Sequence, residues 1–137
     1  MFKNPVLLLT YKRPKTTKII IKRILSIKPR ILYVFQDGPK KKFKEFDRLQ
    51  HKETFDLINR YKKTSKRTKI LFFSFKKNIG QRFIANKILN IVFKNEKEII
   101  FLEDDTYPDL SFFNYCSSML KNFENDIPQK TEELIKE

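Results

Sequence analysis

Four short runs of the chain are apolar without alternation: "PVLLLT" (5–10), "ILYVF" (31–35), "ILFFSF" (70–75) and "EIIFLE" (98–103). Unbroken apolar runs of this length are expected for strands covered on both faces, as in parallel sheets. Between and after them apolar residues recur at helical spacing. Ile20, Ile21, Ile24 and Leu25 share one face behind Pro14, a residue suited to a helix's first turn. Ile84, Ile88, Ile91 and Val92 make a second stripe, and Phe112, Cys116, Met119, Leu120 and Phe123 a third. Segment 43–63 is also expected to be helical, on a weaker stripe of Phe46, Leu49, Leu57 and Tyr61. The order β-α-β-α-β-α-β-α predicts an open, mostly parallel α/β sheet with flanking helices and right-handed crossovers. Residues 1–124 read as one α/β domain, and 125–137 as a polar tail or the start of a further half.

Composition changes this picture in two places. One cysteine excludes an internal disulfide framework and fits a reducing, cytoplasmic setting, and no apolar run reaches the ~20 residues of a membrane helix. The net charge of +14 invites a nucleic-acid reading, but Lys outnumbers Arg 23 to 7 and no aromatic-interleaved basic motif accompanies it. Nucleic acid is therefore disfavoured. The charge is also uneven, with residues 1–97 carrying a net +21 and residues 98–137 a net −7. A basic body of this kind attracts phosphates, including nucleotides and an anionic inner membrane surface.

Candidate chemistry lies where the strands end, since ligands of open α/β sheets bind beyond the carboxyl edge. Thr10 to Pro14 follow the first run, Gln36-Asp37-Gly38 the second, Asn78-Ile79-Gly80 the third and Glu103-Asp104-Asp105 the fourth. All of these fall on one edge of the expected sheet. Three consecutive carboxylates need water, cations or a metal to offset their repulsion. Hard oxygen donors suit Mg²⁺ or Mn²⁺, which often take only one or two carboxylates plus substrate phosphates. The plainer alternative is a loop whose acids cap the helix starting near Ser111. Asp37-Gly38-Pro39 reads first as a turn, and His51, without a spaced His or Cys partner, as a surface residue. G-x-G-x-x-G and G-x-x-x-x-G-K-[ST] are both absent, which disfavours a dinucleotide fold and excludes a P-loop.

"VLLLTYKRP", "VFQDGP", "KNIGQRFIANKIL" and "IIFLEDDTYPDLSFFNY" occur in the order and spacing of GT-A-type glycosyltransferases. The chain resembles most the branch of N-acetylglucosaminyltransferase I-like enzymes, over roughly residues 5 to 120. That resemblance implies transfer of a sugar from a UDP-sugar to a hydroxyl of a glycan or lipid-linked acceptor, with Mn²⁺ or Mg²⁺ as cofactor. It implies Asp105 as the metal-ligating carboxylate and Glu103 and Asp104 near the donor sugar and ribose. Thr10 and Arg13 correspond to the loop lining the nucleotide site, Asp37 to the acid that meets the uracil, and Asn78 and Gly80 to the segment entering the helix beside the donor pocket. Lys12 stands where the family often has Asn. Related enzymes continue into an acceptor-binding half that supplies the catalytic base, so the catalytic residues stay unknown, and the chain reads as a metal-dependent glycosyltransferase or its donor-binding half, a fragment or one completed by a partner. The alternatives are a non-catalytic nucleotide-sugar-binding domain and a basic nucleic-acid-binding protein.

Overall fold

The structure, a computed structural model, describes residues 1–125 of the chain. The elements run β1 (Val6–Thr10), α1 (Pro14–Ser26), β2 (Ile31–Gln36), α2 (Glu45–Thr64), β3 (Lys69–Ser74), α3 (Gln81–Val92), β4 (Ile100–Glu103) and α4 (Leu110–Asn122). The alternation expected from the apolar runs is therefore found. The four strands form one all-parallel sheet in the order β3-β2-β1-β4. Met1–Tyr107 is one compact unit, and a second begins at Pro108. The tail of the sequence reading, beyond residue 125, lies outside the described residues.

Alternation along each strand sends Leu7, Tyr33 and Phe35 to one face of the sheet, where they pack with Ile84, Ile88 and Val92 of α3. The opposite positions, Val6, Leu8, Leu32 and Val34, are fully buried as well. The successive β1-α1-β2 and β2-α2-β3 crossovers step in one direction across the sheet, and α1 and α2 pack side by side over that second face through buried Ile20, Ile21, Ile24, Leu57 and Ile58. Covering both faces explains why the strands carry apolar runs rather than alternating ones. Each such side chain contributes about 1.5–3 kcal/mol on burial. β3, one of the two edge strands, is less covered than the central pair, with Phe73 stacked on Phe35 at a centroid distance of 4.8 Å yet 39% exposed.

The stripe expected along α2 needs correction. Leu57 is buried and Tyr61 partly so, but the inner face is completed by Thr54 and Ile58, while Phe46 and Leu49 are 69% and 53% exposed. Length is the reason. Twenty helical residues span about 30 Å, against about 20 Å for a six-residue strand. The backbone carbonyl of His51 accepts from the side chain of Gln36, the last residue of β2, at 2.9 Å. Residues 45–50 therefore overhang the carboxyl edge of the sheet, with no strand beneath them.

Candidate functional site

The carboxyl edge begins with one rung of the sheet. Thr10, Gln36 and Ser74 lie side by side in register, and Glu103 pairs with Leu9 one step earlier. Strand order reverses between β1 and β4, so their exit loops part and leave a crevice, as switch points do in open α/β sheets. A cleft of about 790 Å³ opens there. Its floor is apolar, from Leu9, Ile84 and Ala85. Thr10, Arg13, Asp37, Asn78, Gly80, Glu103, Asp104 and Asp105, the eight candidate residues of the sequence, all line this one cleft. They reach it from the ends of three strands and the start of α3.

Repulsion in the carboxylate triplet is relieved in different ways along it. Glu103 is exposed to water, whereas Asp104 is buried and accepts a hydrogen bond from Thr10 Oγ1 at 3.2 Å. Thr10 Oγ1 also lies 2.8 Å from Thr17 Oγ1. Because the single Thr10 proton goes to the carboxylate, Thr17 is the donor there, and the hydroxyls form a relay pointing at Asp104. The Arg13 guanidinium lies 3.7 Å from Asp104 and 3.6 Å from Asp105, bridging the pair. The acids do not cap the next helix: α4 begins at Leu110, and its cap is Asp109, whose carboxylate accepts from the Ser111 N–H at 2.9 Å.

Burial pushes the Asp104 carboxyl above the ordinary 3.8, although Arg13 and the Thr10 hydroxyl pull the other way. An acid whose pKa is raised by folding binds its proton more tightly in the native state. Its contribution to stability is greatest below 3.8 and is lost as pH rises through the raised native value. Asp104→Asn, which cannot ionise, is expected to gain stability relative to the wild type between pH 4 and pH 7, in ~1-unit steps of a urea-denaturation series. A difference between the two proteins that is flat with pH, or that runs the opposite way, would refute this assignment.

Asp37 is held more completely than any other acid at this edge. Oδ1 accepts from the backbone N–H groups of Gly38 and Ile79, each at 2.8 Å. Oδ2 accepts from the Gly80 N–H at 3.0 Å and from Asn78 Nδ2 at 3.2 Å. Asn78 Nδ2 also donates to the Gly38 carbonyl at 2.9 Å. Four donors fill the roughly four lone-pair directions of a carboxylate. In this structure Asp37 thus latches the end of β2 to the loop entering α3, rather than offering free oxygens to a ligand. The chain's two glycines both serve this latch. Gly80 adopts φ +88°, a conformation side chains disfavour, and Gly38 lies against the Lys77 backbone where no Cβ fits.

Tyr11, Lys40 and Gln81 also line the cleft. Sequence spacing did not single them out, although Lys40 opens a run of three lysines behind the Gly38-Pro39 turn. The Tyr11 phenol packs between Phe43 and His51 at 5.8 Å from each ring, and its buried oxygen makes no hydrogen bond of normal geometry. Burial raises its pKa, partly opposed by the nearby Lys40 backbone amide. His51, read as a plain surface residue, is instead half-buried beneath this loop, its Nε2 2.8 Å from the Asp37 carbonyl. Its partner is a backbone oxygen, which leaves no trace in residue spacing.

No protein-family model, curated protein or solved structure matches the chain. The site is therefore read from its own chemistry. Among the described residues no three His, Cys, Asp or Glu side chains converge as a ready-made metal cage. Asp104 and Asp105 supply oxygen donors at the cleft, and a hard divalent ion needs only one or two such carboxylates when phosphate oxygens complete its shell. The donor set fits a cation brought with, or completed by, a phosphorylated ligand. It does not fit a cation held by protein alone.

Proposed function

We propose that the cleft binds a UDP-sugar together with Mn²⁺ or Mg²⁺ and transfers the sugar to an acceptor hydroxyl, as a GT-A-type glycosyltransferase or its donor-binding half. One observation carries this reading. Eight residues named from motif resemblance, spread from Thr10 to Asp105, gather around one cleft at the switch point of a parallel sheet. Asp105, half-exposed at the mouth, would hold the cation, whose chemistry is to neutralise charge on the departing diphosphate. Arg13 lies beside the same carboxylates and offers a second positive group to the phosphates. Asp37 acts one step back by fixing the Asn78–Gly80 segment that borders the cleft. A binding-only reading has one observation in its favour. Asp37 and Asp104, the two buried acids here, are already engaged by protein donors, which leaves neither well disposed to take an acceptor's proton.

Calorimetric titration of UDP into wild type and Asp105→Asn, each with and without Mn²⁺, tests the proposal. Mn²⁺-dependent binding is expected in the wild type, weakened roughly tenfold or more in the variant. Binding that ignores both Mn²⁺ and the substitution would remove the metal from this site. Absence of any UDP binding would remove the nucleotide reading for this chain. Release of sugar or its transfer to added saccharides separates the enzyme from the binding-only domain.

A further inference from the structure

A second surface, on the outer side of the α1/α2 layer, combines charge with bare apolar groups. Lys15, Lys18, Ile19 and Lys22 recur at i, i+3, i+4 and i+7, so they share the face of α1 opposite the buried Thr17, Ile20, Ile21 and Ile24. All four are exposed, and Ile19, ringed by three lysines, is 50% open to solvent. α2 packs beside α1, and its overhanging first turns present Phe46 and Leu49 at i, i+3 spacing. Between Lys40 and Lys52 the chain has six cations against two carboxylates, and α1 has no carboxylate at all. One of those two acids, Asp47, is already paired with Lys12 at 2.9 Å. A cleft of about 280 Å³ joins the helices here, bordered by Lys12, Arg13, Lys15, Phe46 and Gln50. Lys12 and Arg13 line the larger cleft too, so the surface runs directly into the candidate site.

We propose that this surface docks the protein on an anionic lipid bilayer, with Ile19, Phe46 and Leu49 entering the boundary between headgroups and acyl chains and the lysines meeting lipid phosphates. Positive charge interleaved with large apolar side chains is the composition of helices that lie in a membrane interface. No helix among the described residues is long and apolar enough to cross a membrane, so contact through this face is peripheral. Nucleic acid fits the surface less well. Its phosphates would satisfy the lysines, and Phe46 could stack on a base, but Ile19 and Leu49 have no ring to stack and gain only from an apolar medium. Docking in this orientation sets the mouth of the larger cleft beside the bilayer, within reach of a lipid-linked substrate. The proposal does not depend on the nucleotide reading, because its test uses no nucleotide.

Flotation of the full chain with vesicles decides it. One set is phosphatidylcholine alone, and the other contains about 30 mol % phosphatidylglycerol, both at about 0.1 M salt. The wild type is expected to float with the anionic vesicles and not with the neutral ones. Phe46→Ser/Leu49→Ser, which keeps every charge and alters only exposed positions, is expected to lose roughly tenfold or more in vesicle affinity while its circular dichroism is unchanged. Ile19→Ser should weaken binding in the same sense. Failure to float with anionic vesicles would overturn the proposal. So would flotation indifferent to all three substitutions, or a short RNA duplex that displaces the protein from vesicles and binds the wild type and the Ser variants alike.

Discussion

Asp37→Ala is expected to cost roughly 3–5 kcal/mol of folding stability, a large share of what a domain of this size possesses. The substitution leaves the N–H groups of Gly38, Ile79 and Gly80 and the Asn78 amide without their common acceptor. Hydrogen bonds to a charged acceptor are worth about 1.5–3 kcal/mol each, and water entering the gap recovers part of the sum. Asp37→Asn should lose about half as much: its carbonyl still accepts, while its amide group faces donors where the second oxygen stood. Because the residue is 7% exposed, solvent does little to screen the loss in the folded state. Urea denaturation with a common slope would measure it. A loss below about 1 kcal/mol would show that the latch is not structural, and the carboxylate would then be free for a ligand. On the proposed reading both variants also weaken UDP binding, through the loosened Asn78–Gly80 segment rather than through lost contact.

Gly38→Ala is expected to be the second large effect, at about 3 kcal/mol or more. A Cβ there would stand 2.3 Å from the Lys77 carbonyl carbon, 2.4 Å from its oxygen and 2.7 Å from its nitrogen. Those atoms are backbone, so no rotamer change relieves the overlap, and the loop must leave its place beside the Asp37 latch. Gly80→Ala provides the contrast. Space is available at Gly80, where the nearest atom to a Cβ is Asn78 Oδ1 at 3.8 Å, but φ +88° imposes a strain of about 1–3 kcal/mol. The expected order is therefore Gly38→Ala worse than Gly80→Ala, as read from denaturation midpoints. The double variant Asp37→Ala/Gly38→Ala should lose less than the two separate losses combined, since both break one contact between the same loops. Full additivity would mean that the two residues act on different parts of the structure.

These effects also mark the limit of what residue patterns reveal. Asp37-Gly38-Pro39 reads as a turn, and a turn it is, yet its energetic role depends on backbone donors some forty positions away. Every residue except proline carries such an N–H, so the sequence has no sign to distinguish the ones that converge on Asp37. The same holds for His51, whose partner is a carbonyl, and for Arg13, whose place between two carboxylates follows from β1 and β4 being neighbours. Lys12, by contrast, was visible in the loop after β1, but its pairing with Asp47 required α2 to overhang the sheet.

By itself the sequence determined the alternation of elements, the parallel character of the sheet and the edge on which polar residues gather. Apolar periodicity reports local burial, and burial on both faces leaves the same mark wherever a strand lies within its sheet. What tertiary structure alone decided was the order β3-β2-β1-β4, and with it the crevice between β1 and β4 that joins Thr10 and Arg13 to the carboxylates of residues 103–105. It also decided which apolar residues of α2 stay outside. Phe46 and Leu49 have the spacing of core residues, but a helix longer than its strands must leave some turns without a sheet to cover them.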